Sequence, residues 1–274
     1  MEASNTGAKI FEVTGKRSLS ALIHFVEFIG GSINLFYATL RVMFRPPFYP
    51  KLFLEQCYSL GVKSLSLALI TALSTGMVMS LQFGLGLERF GGKLYVPKVV
   101  GLSIMRELGP VLTCLMLAGR VGSGIAAEIG SMSVTQQIDA IRALGTDPIK
   151  RLVIPRLLAM MVLAPLITVL ADLVGIFGGM YLSYFELNLN PNFYFQNALV
   201  ALRTTDFLVG VGKTFFFGII IAMTGCYYGL NTTGGTQGVG QATTRAVVTA
   251  SILITIMDFV LTKFFWIFER GMYG

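Results

Sequence analysis

Five long runs of apolar residues follow one another along the chain and are separated by shorter polar segments. They cover roughly residues 64–87, 99–118, 157–184, 209–230 and 246–266. A helix rises about 1.5 Å per residue, so about 20 apolar residues cross the hydrocarbon core of a bilayer. The pattern therefore predicts five membrane-spanning helices in an all-α integral membrane protein.

The N-terminal part of the chain has a different pattern. Residues 1–17 are polar, and residues 18–44 are apolar but carry interruptions such as Glu27 and Arg41. Arg45-Pro46-Pro47 then ends any helix, because proline cannot continue one. This favours an amphipathic helix on the membrane surface. We therefore predict an N-terminal tail with an interfacial helix, 1–45, and a transmembrane domain, 46–274; the alternative is a sixth span that places both termini on one side.

A short amphipathic helix is predicted between the second and third spans, over residues 134–144. Ser133 and Gln136 have the spacing of a capping box, and Gly145 suits the C-terminal cap. The apolar residues that recur on one face are Val134, Ile138, Ile141 and Leu144. Such a face has no evident partner in its own chain, so the helix either lies flat on the membrane or docks on a soluble partner. Residues 186–206 are predicted to form a polar loop.

Composition and charge support a membrane protein. The 274 residues are 54% hydrophobic and only 13% charged, against about 25% in an average soluble domain. This excludes a soluble enzyme and a nucleic-acid-binding module. The net charge of +7 fits positive residues at the cytoplasmic surface. With the N-terminus inside, thirteen of the 21 Lys and Arg residues fall on the cytoplasmic side and eight outside, so we predict a cytoplasmic N-terminus and an outer C-terminus.

Several charged residues stand inside or at the edges of the apolar runs: Arg106, Glu107, Asp172, Lys213 and Asp258. A charge in the bilayer costs on the order of 3 kcal/mol, so such residues indicate function by default. In the predicted topology all except Asp172 fall in the outer half, where they are expected to surround one polar cavity and pair with one another. The cavity is then a site for a charged headgroup or part of a gate. The alternative is a set of structural ion pairs.

Small residues recur three and four positions apart in two of the spans. One stripe contains Gly119, Gly122, Ser123 and Ala126, and the other contains Gly175, Gly179 and Ser183. On a helix, each stripe lets another backbone approach closely. The stripes indicate packing within one subunit or, alternatively, a homodimer seam or a moving surface.

The sequence offers little for metal or nucleotide chemistry. His24 is the only histidine, and the three cysteines lack metal-binding spacing. The segment Gly210–Thr214 resembles the end of a phosphate-binding loop, but Phe207 stands where the first glycine of that motif is required. We therefore predict no metal, no catalytic residue and no ATP site in this chain.

One block of sequence resembles a known family. The block contains Arg106-Glu107-Leu108-Gly109-Pro110-Val111, Ala118–Ser123, Ala127–Gly130, Gln137–Ala140, Asp147-Pro148 and Pro155-Arg156, and the last span adds Ala242–Val248 and Asp258–Thr262. In this order they resemble the MlaE/YrbE permease family. The resemblance extends over roughly residues 50–266.

The resemblance implies a fold and a set of partners. Members have the fold of an ABC exporter permease: an interfacial helix, five spans and a cytoplasmic coupling helix. They form a homodimer with two copies of an MlaF-like ATPase, which holds the ATP and Mg²⁺, together with an MlaD-like MCE protein and in some systems an MlaB-like STAS protein. The complex moves phospholipid between the bacterial inner membrane and the periplasmic MCE partner, and it maintains outer-membrane lipid asymmetry. This chain is then a non-catalytic subunit without a cofactor of its own.

The resemblance also implies roles for individual residues. Arg106 and Glu107 fall on the family's Arg-Glu pair near the outer side of the lipid cavity. Lys213 and Asp258 are assigned to the same substrate site because they are the other two charged residues expected around the cavity. The acyl-chain path is expected along Met79, Phe83 and Leu87. The residues expected to couple to the ATPase are Gln137, Ile138, Asp139, Ile141 and Arg142. The competing hypothesis is a proton-coupled secondary transporter that uses Glu107, Asp172 and Asp258 and needs no ATPase.

Overall fold

The computed structural model describes residues 27–46 and 49–273, and no β-strand occurs within these ranges. The chain divides into two compact units, Met1–Arg45 and Pro46–Gly274. The first unit contributes helix α1, residues 27–43. The predicted interfacial helix is therefore helical from residue 27 onward, and its first part, 18–26, lies outside the described residues. Its position at the membrane stays a prediction.

The second unit consists of helices joined by short connections. They are α2 (Pro50–Gln56), α3 (Lys63–Glu88), α4 (Val96–Ser103), α5 (Gly109–Leu117), α6 (Ser123–Val134), α7 (Gln137–Ala143), α8 (Ile154–Leu187), α9 (Pro191–Ala201), α10 (Thr204–Leu230) and α11 (Gly235–Tyr273). Four π-helical segments, Cys57–Val62, Ile104–Leu108, Ala118–Gly122 and Ile149–Val153, lie within or at the start of the long helices, and a 3-10 turn, Lys93–Tyr95, precedes α4.

Within the described residues, five helices are long and apolar enough to cross a membrane, as predicted for this part of the chain. They run over Pro50–Glu88, Lys93–Val134, Ile149–Leu187, Thr204–Leu230 and Gly235–Gly271. Their lengths of 27 to 42 residues exceed the predicted spans. The helices are longer because the predicted bounds cover only the part in hydrocarbon, whereas the helices continue past the roughly 30 Å core.

The helices α3 and α8 pack through very close backbone contact. A Cβ atom at Gly76 would collide with the carbonyl oxygen of Gly175, and the hydroxyls of Ser80 and Ser183 share a hydrogen bond of 2.5 Å. The stripe that contains Gly175 and Ser183 therefore serves packing within one subunit, which was the first of the two interpretations. Because both hydroxyls are buried, each provides the hydrogen-bond partner that water would otherwise supply to the other.

A helix occupies the segment predicted to be a polar loop, 186–206. The helix α8 ends at Asn188, whose φ of 51° is left-handed, and the side chain of Asn190 then caps α9 by accepting from the Asn192 amide at 2.9 Å. Pro191 at the first position suits a helix start. The loop prediction was wrong because the polar residues are caps, while Tyr194 is fully buried. Burial raises the pKa of the Tyr194 hydroxyl above its ordinary value.

The predicted short helix between the second and third spans is present as α7, but it begins later than residue 134. The helix α6 runs through Val134, and Gln136 takes a left-handed φ of 59° before α7 begins. The capping-box prediction was wrong, because the Ser133 hydroxyl donates instead to the carbonyl of Thr232 at 3.2 Å. The predicted end is confirmed: Gly145 has a φ of 74°, as a C-terminal glycine cap requires.

Candidate functional site

A cavity of about 230 Å³ lies among the second, fourth and fifth spans. Its lining combines charged and polar side chains with apolar ones. The residues are Arg106, Glu107, Val209, Phe259, Thr262, Lys263, Trp266 and Glu269. Two of the four charged residues predicted to surround a cavity, Arg106 and Glu107, thus line it directly, and Lys213 and Asp258 lie behind them.

The backbone around Arg106 is arranged by a π-helical turn, Ile104–Leu108, followed by Pro110. Proline lacks an N–H group, so the Arg106 carbonyl four residues earlier receives no amide donor in the α-helical register. The Lys213 ammonium donates to this carbonyl instead, at 3.2 Å. The irregular backbone therefore fixes where α10 meets this segment.

The charged residues at the cavity form a cluster that is joined by ion pairs. Lys213 is the centre of its buried half. It lies inside α10 with an exposed fraction of 0%, so the segment that resembles a phosphate loop is helical. Its ammonium contacts Glu107 Oε2 at 2.7 Å and Asp258 Oδ1 at 3.0 Å. These acceptors offset the cost of burying the charge. Lys213 is thus enclosed, and in this structure it acts by holding two carboxylates.

Arg106 forms the outer half of the cluster. Its Nε donates to Asp206 at 2.5 Å and its Nη2 to Glu269 at 3.0 Å. Sequence reasoning missed Asp206 and Glu269 because both stand at the ends of the apolar runs. Their positions could have indicated them. Each lies just outside an apolar run, at the end that the predicted topology places on the outer side, where Arg106 was also expected. Thr262, also missed, donates to Glu107 Oε1 at 3.4 Å.

The residues predicted along the acyl-chain path, Met79, Phe83 and Leu87, lie away from the cavity. They are partly buried and pack against a core of α4, α8 and α9 residues that includes Val100 and Tyr194. None of the three lines the cavity. The structure therefore does not bring the predicted acyl-chain residues together with Arg106 and Glu107, because the inner face of α3 is covered by α4 and α8.

The residues expected to couple to an ATPase divide into two groups. Gln137, Asp139 and Arg142 are exposed, and Asp139 pairs with Arg142 at 3.2 Å. Ile141 is half-buried, whereas Ile138 is only 5% exposed. The expectation that the apolar face finds no partner in its own chain was wrong at Ile138. Leu144, which is 79% exposed, is the apolar side chain of this face that stays open.

The stripe of small residues in the second span has a part that is buried against α10 and a part that is not. Gly122 and Ala126 are buried and approach α10, where the Gly122 carbonyl lies 3.0 Å from a Cβ position at Gly225. A Cβ atom at Gly119 would meet nothing within 4 Å, and Ser123 is half-buried. Half of the stripe therefore serves packing within the subunit, and the surface at Gly119 and Ser123 remains available to another chain.

Asp172 lies apart from the cluster. Its side chain in α8 is 2% exposed, and neither carboxylate oxygen has a hydrogen-bond partner among the residues that the structure describes. One oxygen rests directly against Gly109, where a Cβ atom would collide with it. Among the described residues, no hydrogen bond joins Asp172 to Glu107 or Asp258, the other carboxylates of the proton-coupled hypothesis.

Comparisons with known proteins agree with the sequence resemblance. The family model described as Permease MlaE matches residues 53–264. A probable ABC transporter permease protein of Rickettsia felis is 41% identical over 253 residues, which cover 92% of this chain and 96% of the relative. One of Synechocystis is 42% identical over 80% of this chain and 82% of its own length. Protein TRIGALACTOSYLDIACYLGLYCEROL 1, chloroplastic, of Arabidopsis thaliana is 39% identical over 78% of this chain and 61% of its own length. The resemblance is thus confirmed, and the chain belongs to the MlaE permease family.

Proposed function

We propose that this permease is the membrane subunit of an ABC transporter that moves phospholipid or a related lipid between the inner membrane and a periplasmic MCE protein. On this proposal it is a homodimer in the bacterial inner membrane, with its N-terminus in the cytoplasm and its C-terminus in the periplasm. Its transport maintains the lipid asymmetry of the outer membrane.

The observation that carries the proposal is the mixed lining of the cavity. Arg106 and Glu107 provide charged groups, and Val209, Phe259 and Trp266 provide apolar surface immediately beside them. A lipid is amphiphilic, so it places a charged headgroup and an apolar chain side by side. The name of the Arabidopsis relative is that of a galactolipid, which supports a lipid substrate.

Energy is expected to come from a partner. An ABC transporter permease works with an ATPase, and α7 is the segment that we assign to the contact with an MlaF-like subunit. It exposes Gln137, Asp139, Arg142 and Leu144. An MlaD-like MCE protein at the outer side, and an MlaB-like STAS protein bound to the ATPase, complete the proposed assembly.

Native mass spectrometry of the tagged protein, extracted gently from its host membrane, tests the assembly. We expect two copies of this chain with two copies of an ATPase and bound lipid. Leu144→Asp is the appropriate coupling variant, because Ile138 is buried and its replacement would disturb the fold. It should retain insertion and lipid, yet lose ATP-dependent lipid transfer in proteoliposomes.

Two results would contradict the proposal. One is that native mass spectrometry detects this chain alone after mild extraction, without an ATPase and without lipid. The other is transport that follows an imposed pH gradient in proteoliposomes holding this chain alone, which would support the proton-coupled alternative. As a control, Leu199→Asp changes another exposed leucine, in α9, and should leave coupling intact.

A further inference from the structure

The charges that line the cavity are balanced. Two are cations, Arg106 and Lys263, and two are carboxylates, Glu107 and Glu269. The side chains of Arg106, Glu107 and Glu269 are 36%, 42% and 23% exposed, and Lys263 is exposed as well. Groups of both signs are therefore accessible to a molecule in the cavity.

When the charged residues behind the lining are counted as well, carboxylates outnumber cations. Lys213 is enclosed between Glu107 and Asp258, and Asp206 is held by Arg106. Together with the lining residues, the cluster contains three cations and four carboxylates. Arg270 stacks over the Trp266 ring, 5.5 Å from its centroid, but among the described residues it neither lines the cavity nor forms an ion pair with these charged groups.

This distribution is unfavourable for a headgroup that carries only negative charge. Such a headgroup adds to an excess of carboxylate and brings no cation to the lining carboxylates Glu107 and Glu269. A headgroup with a phosphate and an ammonium group adds no net charge. Its phosphate contacts the open cations while its ammonium contacts the open carboxylates, so each lining charge gains a partner of opposite sign.

We propose that the cavity selects zwitterionic phospholipid headgroups, with the phosphate at Arg106 and Lys263 and the ammonium at Glu107 and Glu269. The faces of Phe259 and Trp266 add a favourable environment for the ammonium, since cations are attracted to aromatic faces. The inference rests on the proposed lipid-transport function and names the headgroup class for its site.

The test measures which lipid the protein retains. The purified full-length protein is exchanged into nanodiscs that contain equal amounts of phosphatidylethanolamine, phosphatidylcholine and phosphatidylglycerol, re-extracted in mild detergent, and its bound lipid is quantified by mass spectrometry. We expect each zwitterionic lipid to be enriched about fivefold over phosphatidylglycerol, the ratio that one exposed ion pair supplies. Enrichment of phosphatidylethanolamine alone would show that the site binds a primary ammonium, and enrichment of phosphatidylcholine alone would show that it binds a quaternary ammonium.

Two variants shift the ratio in opposite directions. Glu269→Gln removes one open carboxylate while Arg106 keeps Asp206, so phosphatidylglycerol should rise about fivefold relative to the wild type. Lys263→Gln removes one open cation and should lower it. Enrichment of phosphatidylglycerol in the wild type, or identical ratios in all three proteins, would overturn the headgroup inference and leave the transport proposal standing. Lipid retention no higher than in Val209→Trp, which fills the cavity, would instead count against the proposed function.

Discussion

Replacing Lys213 by methionine is the sharpest perturbation of the cavity, because it removes a buried charge and changes the side-chain volume little. The ammonium is fully enclosed: it donates to Glu107 Oε2 at 2.7 Å and to the Arg106 carbonyl at 3.2 Å, and it forms an ion pair with Asp258 Oδ1 at 3.0 Å. Without it, two carboxylates face each other with no cation between them, and a backbone carbonyl loses its donor.

The size of the effect follows from the exposure of the carboxylates. Removing one member of a buried ion pair costs about 3–5 kcal/mol, because the remaining charge is left without compensation. The side chains of Glu107 and Asp258 are 42% and 21% exposed, so water compensates part of the loss. We therefore expect a loss near the lower limit, about 3 kcal/mol, which corresponds to a fall in Tm of roughly 8 °C.

The fluorescence of Trp266 provides the assay, because it is the only tryptophan in the sequence and lines this cavity. Thermal unfolding in detergent is compared for the wild type, Lys213→Met, and Lys213→Met combined with Glu107→Gln and Asp258→Asn, which should recover most of the lost Tm. Lys263→Met is the control, since this exposed lysine lines the same cavity. A Tm of Lys213→Met within 2 °C of the wild type, or a triple variant no more stable than the single one, would refute the reasoning.

Two further predictions concern the packing of α8. Gly76→Ala places a methyl group on the Gly175 carbonyl oxygen, so it should destabilise the protein by about 3 kcal/mol, whereas Gly86→Ala in the same helix enters open space and should stabilise it slightly; equal Tm values would contradict the close contact. Asp172→Asn replaces a buried carboxylate without partners and should keep or raise Tm, because an unpaired amide costs less to bury than an unpaired charge. The variant should also retain ATP-driven lipid transfer, and abolished transfer at unchanged Tm would favour the proton-coupled mechanism.

The sequence predicted the charged cluster because charges in apolar runs have few ways to be stabilised. Arg106, Glu107, Lys213 and Asp258 stand in three different runs, and each is costly alone. The predicted topology put them at one level, so pairing was the solution of lowest energy. The same reasoning could not reach Asp206 and Glu269, because a carboxylate at the end of a run costs little and gives no such signal.

The two errors at α7 have a different origin. Ser133 and Gln136 match a capping box in spacing, yet the Ser133 hydroxyl finds a tertiary acceptor in the Thr232 carbonyl, 99 residues away. Ile138 matches an unpartnered amphipathic face, yet it is buried within the chain. In both cases local spacing was outweighed by contacts between distant segments, which a single sequence does not reveal.

The length of α11 connects the surroundings of α7 with the cavity. The helix is continuous from Gly235 to Tyr273, so about 51 Å separate Gly235 from Glu269 at about 1.5 Å per residue. Just before its first turn, Thr232 accepts from Ser133 at the end of α6, directly before α7. A tilt of α11 by about 4° at this point displaces Glu269 by roughly 3.5 Å if the helix stays rigid. That is enough to break its 3.0 Å contact with Arg106, because an ion pair requires an N···O distance within about 4 Å. If the proposed ATPase docks on α7, a movement of this size would open the pair between Arg106 and Glu269 while Arg106 keeps Asp206. On the proposed function, this outer ion pair would then connect coupling with lipid binding.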